Sequence, residues 1–132
     1  MAYPKEMKTA INTTNAPAPI GPYSQAIEAN GFLFVSGQIA LNPETGALVT
    51  EDITAETTLV MENLKAILAE AGLTFSNVVK AGIFLKDMAS FAAVNEIYGS
   101  YLNAPYPARE TVQVAALPKN VNVEISVTAV KP

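Results

Sequence analysis

The chain has 132 residues, of which half are apolar and 15% are charged, and this composition is typical of one compact soluble domain. It contains no histidine and no cysteine, which excludes a Ser-His triad, a thiolate nucleophile and the usual nitrogen and sulfur ligands of zinc. A formal net charge of -4 and scattered lysines argue against a nucleic-acid surface, which needs clustered cations. We therefore expect a single domain over residues 1–132 with no metal site and no nucleic-acid partner.

The distribution of apolar residues predicts neither a membrane-spanning segment nor a secretory signal. No apolar run approaches the ~18 residues of a membrane span. The first residues, MAYPKEMK, lack the apolar stretch of a secretory signal. We expect no membrane partner and a cytoplasmic location, with which the lack of cysteine agrees weakly.

The first third of the chain reads as short strands and turns. Met7–Thr13 alternates weakly and leads into NAPAPIGP, whose prolines favour an extended loop. From Tyr23 onward, SQAIEA and FLFVSGQI flank Asn30–Gly31, the signal of a type I′ β-hairpin. NPETG at 42–46 predicts a further turn, and Leu48–Val49 a short strand after it.

Two helices enclose a strand in the middle of the chain. Apolar side chains recur at helical spacing between Thr54 and Ala71, and Gly72 is placed to end that helix. VVKAGIFLK, Val78 to Lys86, is rich in β-branched and aromatic residues and predicts a strand. A second helix begins near Ser90 and ends at the NAPYP loop.

The last two predicted strands, Glu110 to Leu117 and Val121 to Val130, have period-two patterns around Pro118–Asn120 and predict a second hairpin. In it, Val112, Val114, Val121, Val123, Ile125 and Val127 would face the helices, and the opposite face would carry Arg109, Thr111, Gln113, Glu124, Ser126 and Thr128. With an even-numbered connection, Gln113 opposes Glu124 and Arg109 opposes Thr128. Arg109 and Glu124 would then lie roughly 13 Å apart along the ladder, at ~3.3 Å per residue.

This order of elements predicts an α+β domain, a mixed β-sheet with two helices on one face. Phe32 to Val35 is apolar on both sides of its strand, as expected for a strand buried on both faces. Two helices can cover only one of those faces. We therefore expect other copies of the chain to cover the second face in a closed homo-oligomer.

Two charged residues stand out as candidates for chemistry. Arg109 is the sole arginine, and its guanidinium is a fork suited to a carboxylate ligand. The plainer interpretation is a surface cation or a partner for Glu110. Glu124, between Val123 and Ile125, must be paired, hydrated in a cleft or protonated, with an oligomer contact as its alternative role.

Three further residues have plain interpretations of their own. Tyr23 fits an aromatic residue packing on a loop, Asn95 the polar edge of the second helix, and Gly37 a bulge or close approach. Each plain interpretation is the stronger one when its residue is taken alone. Their joint occurrence in one chain favours the functional interpretation.

Five segments carry a resemblance that covers almost the whole chain: TTNAPAPIGPYSQAI, FVSGQIALNPETG, ENLKAILAEAGL, FLKDMASFAAVNEIYGSYL and YPARETVQVAALPKNVNVEISVTAV. In order and spacing they resemble the RidA family, also called the YjgF/YER057c/UK114 family. The closing PAR-x-x-V-x-V-A-x-LP-K with a following V-E-I is specific to its main branch.

The resemblance implies a chorismate-mutase-like fold in a homotrimer, with the sheets facing inward and clefts between subunits. It implies hydrolysis of reactive 2-iminoacids and enamines, such as 2-iminopropanoate and 2-iminobutanoate, to 2-oxoacids and ammonia, without a cofactor. It assigns carboxylate binding to Arg109, positioning of water to Glu124, and cleft positions to Tyr23, Gly37 and Asn95. Thr111 joins the substrate-binding set but departs from the cysteine found in many relatives.

Two other functions remain open at this stage. One is a non-catalytic binder or sensor of 2-oxoacids or other small carboxylates, which would use the same Arg109 fork. The other is RNA cleavage or inhibition of translation, against which the acidic charge and the lack of histidine count.

Overall fold

A computed structural model describes residues 7–132. These residues form six strands, which are β1 (Thr9–Ile11), β2 (Ala26–Ala29), β3 (Phe32–Gln38), β4 (Val78–Leu85), β5 (Ala108–Gln113) and β6 (Val123–Val130), and two helices, α1 (Ile53–Glu70) and α2 (Phe91–Ser100). The strands make one mixed sheet in the order β1-β2-β3-β6-β4-β5. The α+β architecture predicted from the sequence is confirmed.

Local signals placed most of these elements correctly. Asn30 and Gly31 adopt positive φ values of 51° and 81° between β2 and β3, as a type I′ turn requires, and the predicted hairpin is confirmed. At the start of α1, the Asp52 carboxylate accepts a hydrogen bond from the Ala55 backbone N–H at 2.7 Å. Gly72, with φ of 76°, follows its end. The short strand expected at Leu48–Val49 is reduced to an isolated bridge between Leu41 and Leu48.

The predicted second hairpin is wrong. β5 pairs in parallel with β4 at the edge of the sheet, while β6 lies between β3 and β4, antiparallel to both. The cause is topological, because β4, α2 and β5 form a crossover unit that pairs its strands in parallel. Residues 114–122 then carry the chain past β4 instead of closing a tight turn.

The correct pairing also changes the predicted cross-strand partners. Arg109 is aligned with Ala81 of β4 and not with Thr128, which faces Lys80. Gln113 is aligned with Leu85 and not with Glu124, which faces Phe84. Arg109 and Glu124 therefore do not lie on paired strands, and the distance of roughly 13 Å expected between them along one ladder does not apply.

Both helices cover the same face of the sheet. That helix face carries the core, in which Leu33, Ile83 and Ile125 are fully buried against apolar side chains of α1. The other side, here called the open face, exposes the stacked rings of Phe32 and Phe34, whose centroids are 6.0 Å apart. In residues 7–132, no helix has the length and apolar character needed to cross a bilayer.

Val112 lies on the open face as well. It is aligned with Phe84 and is 43% exposed, so its expected position against the helices is wrong. Its neighbours Arg109, Thr111 and Gln113 take the helix face instead, since successive residues of a strand point to opposite sides. One misplaced strand pairing thus reversed the predicted orientation of all of β5.

Candidate active site

The Arg109 guanidinium is held by one face of α2. Its Nη1 donates a hydrogen bond to Asn95 Oδ1 at 2.5 Å, and its central carbon lies 5.6 Å from the Phe91 ring centroid and 5.3 Å from that of Tyr98. Residues 91, 95 and 98 share a helix face because they are separated by one and two turns. The contacts with the rings are within the range of cation–π attraction, so this face both orients and stabilises the cation.

The charge of Arg109 is not neutralised by any carboxylate in the described part of the chain. Glu110, the partner that the plainer interpretation gave to Arg109, instead pairs with Lys80 at 3.2 Å on the open face. Arg109 is exposed and opens onto a cleft of about 500 Å³ that Asn95, Tyr98 and Tyr106 also line. The free edge of the guanidinium is therefore available as a fork for an anionic ligand. We call this the arginine cleft.

Thr111 lies on the helix face two residues beyond Arg109, aligned with the buried Ile83. Its Oγ1 is buried and has no hydrogen-bond partner among residues 7–132, and the same holds for the Tyr98 hydroxyl. Burial raises the pKa of Tyr98, an effect that the positive charge of Arg109 opposes. Two buried hydroxyl groups without a hydrogen-bond partner in the described residues thus belong to neighbours of Arg109: Thr111 is two residues away on the same strand, and the Tyr98 ring contacts the guanidinium.

Glu124 lies on the open face, where Tyr23 and Gly37 join it around a small cavity of about 80 Å³. Its side chain is half-buried, and this burial raises the pKa of the carboxyl group. A Cβ atom on Gly37 would lie 2.9 Å from the carboxyl carbon of Glu124, so a glycine is needed for this close approach. We call this the acidic cavity.

The predicted site residues thus form two groups. Arg109, Asn95 and Thr111 lie on the helix face, whereas Tyr23, Gly37 and Glu124 gather at the acidic cavity on the open face. The expectation that Arg109 and Glu124 share one face is wrong. Within one copy of the described chain, the sheet separates the cation from the carboxylate.

Phe91 and Tyr98, which hold Arg109 in the candidate site, were not among the site residues predicted from the sequence. Their spacing to Asn95 was a usable signal. Three residues separated by one and two helical turns form a single face, and that face could have been matched to the sole arginine of the neighbouring strand.

The mixed six-stranded sheet with two helices on one face places the chain among small α+β proteins. Residues 13–131 match the family described as Endoribonuclease L-PSP. The chain belongs to this family, which is the RidA family identified from its motifs.

Individual relatives agree closely in sequence and structure. The protein named 2-iminobutanoate/2-iminopropanoate deaminase of Mus musculus is 46% identical over 125 residues, covering 95% of this chain and 93% of the mouse protein. The crystal structure of RidA from an Antarctic Psychrobacter superimposes with a TM-score of 0.89 at 43% identity, covering 92% of this chain and 98% of that chain. Escherichia coli TdcF with bound serine gives 0.89 at 40% identity, covering 94% and 99%.

Proposed function

We propose that this protein hydrolyses reactive 2-iminoacids, of which 2-iminopropanoate and 2-iminobutanoate are the expected substrates. Water adds to the imine carbon, the resulting carbinolamine transfers a proton to nitrogen, and the C–N bond breaks. One imine and one water thus give one 2-oxoacid and one ammonia. The mouse relative, whose name states this activity, supports the proposal. So does TdcF, which was crystallised with serine, a ligand that carries a carboxylate.

The complete site is proposed to form between copies of the chain in a homotrimer. The arginine cleft of one copy would face the acidic cavity of the next, because neither half contains both charges. The open face gives a second argument, since Phe34 is 49% exposed and Phe32 39% exposed in a single chain. Contiguous apolar surface of this kind is typical of an interface.

Arg109 is proposed to bind the substrate carboxylate. Asn95 occupies one donor of Nη1, which leaves the remaining in-plane N–H groups to form a bidentate pair with a carboxylate. The aromatic rings of Phe91 and Tyr98 hold the fork in place without neutralising it. A substrate gripped by its carboxylate presents the adjacent imine carbon at a fixed distance from the cation.

Glu124 is proposed to act as the acid and base. The imine carbon is already electrophilic, so the reaction needs an oriented water and a group that moves a proton, but no covalent nucleophile. Burial raises the pKa of Glu124, which makes its carboxylate a better proton acceptor than an exposed one. Its proton, taken from water, can then return to the departing nitrogen.

The observation that carries this proposal is the unpaired, ring-held Arg109 opening onto a cleft. The test is a coupled assay in which an amino-acid oxidase or dehydratase generates 2-iminopropanoate or 2-iminobutanoate with and without the protein. We expect faster release of 2-oxoacid and faster loss of imine when the protein is present. Saturable binding of 2-oxobutanoate with no acceleration would instead identify a non-catalytic carboxylate binder.

A further inference from the structure

Five polar side chains are buried in the described part of the chain: Gln25, Gln38, Glu56, Thr57 and Asn63. Burying such groups is unfavourable unless hydrogen bonds replace those lost to water. Thr57 bonds only within its own helix, to the Ile53 carbonyl at 2.7 Å. Gln25, Asn63 and Glu56 behave differently, because each bonds to backbone at or beside a different wall of the acidic cavity.

Gln25 fixes the proline-rich loop that leads to Tyr23. Its Nε2 donates to the carbonyls of Thr13 at 2.9 Å, Ala16 at 3.3 Å and Pro17 at 2.9 Å, while its Oε1 accepts the Thr13 N–H at 2.7 Å. Pro17 and Tyr23 both line the acidic cavity. One side chain that is 2% exposed therefore bonds to four backbone groups of this loop, with the two Nε2 hydrogens shared among three carbonyls.

Asn63 fixes the wall that follows Gly37. From α1, its Nδ2 donates to the carbonyls of Ile39 at 3.2 Å and Leu41 at 3.0 Å. Both residues line the acidic cavity, and Asn63 itself is only 1% exposed. The segment that brings Gly37 against Glu124 is thus attached to a helix on the far side of the sheet.

Glu56 fixes the start of the strand that carries Glu124. One carboxylate oxygen accepts the backbone N–H groups of Asn122 at 2.7 Å and Val123 at 3.2 Å, and the other accepts Asn122 Nδ2 at 2.7 Å. Glu56 is fully buried and forms no salt bridge within residues 7–132. These three donors replace the water that a buried carboxylate would otherwise require.

We propose that Gln25, Asn63 and Glu56 are positioning residues that together hold the acidic cavity in its working shape. We assign none of them a catalytic role: each holds the backbone of a different wall, and Gln25 also lines the cavity itself. The consequence for turnover rests on the proposed imine hydrolysis. The consequence for the environment of Glu124 does not, because it concerns only the geometry of the cavity.

The kinetic test compares Gln25→Met, Asn63→Leu and Glu56→Gln with Thr57→Val. Each variant replaces a buried polar side chain by a side chain of similar size. Thr57 is the control because its hydrogen bond to the Ile53 carbonyl contacts no wall of the cavity. Displacing a proton-transfer group by about 1 Å costs up to roughly 10²-fold in rate, so kcat should fall at least roughly tenfold in the three variants. KM should change less than about twofold, because Arg109 binds the carboxylate in the other half-site.

The second readout does not depend on activity. NMR titration of the Glu124 side-chain carboxyl, within a sample labelled at glutamate, should show its raised pKa returning toward the ordinary value in the three variants. Tyr23 and Lys119 are the other ionisable residues that line this cavity. The Thr57→Val protein should titrate like the wild type.

The outcomes separate the two proposals. If the wild type hydrolyses no imine but the Glu124 titration still shifts in the three variants, the positioning role is supported and the proposed function is overturned. If the three variants match Thr57→Val in titration and in kcat at equal loss of thermal stability, the positioning role is overturned. Where Gln25→Met does not fold, Glu56→Gln, which keeps the shape of the side chain, decides the matter.

Discussion

Arg109 and Glu124 lie on opposite sides of one sheet, with β4 between the two strands that carry them. A single copy therefore presents the proposed carboxylate-binding cation and the proposed proton-transfer group on opposite faces, where they cannot act on the same small molecule. If imine hydrolysis uses both residues, each substrate must contact two copies of the chain. Assembly is then a condition for activity and not only for stability.

Replacing Glu124 by Gln tests its proposed chemical role. The amide keeps the shape of the side chain beside Gly37 but cannot accept the proton of water, so turnover should fall by roughly 10²-fold or more. The far-ultraviolet circular dichroism spectrum and the oligomer size should match the wild type. Unchanged turnover would leave Glu124 with a structural role.

The same variant should show a pH-dependent gain in stability. Because burial raises the folded-state pKa of Glu124 above its ordinary 4.5, the folded chain binds this proton more tightly than the unfolded chain. Stability is therefore lost as pH rises from the unfolded to the folded pKa, and the loss persists above it. We expect Glu124→Gln to melt higher than the wild type at pH 7, with the difference vanishing below about pH 4. A difference in melting temperature independent of pH would contradict this.

Gly37→Ala should act on the same carboxyl group through sterics. The added Cβ would meet the Glu124 carboxyl carbon at 2.9 Å, and the flexible end of Glu124 can move aside with little strain. We expect kcat to fall by about tenfold or more, since misplaced catalytic groups lose rate steeply, while the melting temperature stays nearly constant. Unchanged kcat, together with a crystal structure in which the Glu124 carboxyl group has moved away from residue 37, would show that the close approach has no catalytic purpose.

Arg109→Lys separates ligand binding from structure. Lysine keeps the charge but loses the planar fork, so affinity for 2-oxobutanoate and imine turnover should fall together with little change in melting temperature. Lys65→Arg, on the exposed side of α1, is the matched control and should change neither. A destabilised Arg109→Lys protein that still binds and hydrolyses normally would show that Arg109 is structural. Calorimetric titration beside thermal denaturation makes the comparison.

The sequence predicted the elements better than their neighbours. The Asn30–Gly31 turn and the helix that ends before Gly72 depend on local chemistry, and both were found where expected. The partner of β5 does not depend on local chemistry. A clean period-two pattern fixes which residues share a face of a strand, but not which face meets the helices or which strand lies alongside.

The candidate site was predictable in part for the same reason. Motifs named Tyr23, Gly37, Asn95, Arg109, Thr111 and Glu124, and the structure gathers Tyr23, Gly37 and Glu124 around one cavity. Their division between two faces follows from the position of β4, which no short motif encodes. The parallel β4-α2-β5 unit could have been inferred from its order, strand, helix and strand, because such connections pair in parallel.

The most direct test of a site shared between copies is subunit complementation. Arg109→Ala and Glu124→Gln proteins, each expected to be inactive alone, are unfolded together at equal concentration, refolded, and assayed for imine hydrolysis, with sedimentation equilibrium confirming the size of the assembly. Random mixing pairs an intact arginine cleft with an intact acidic cavity in about a quarter of the interfaces, so about a quarter of wild-type activity should return. No recovery of activity in fully mixed assemblies would contradict a site shared between copies and would show that Arg109 and Glu124 do not act on one substrate.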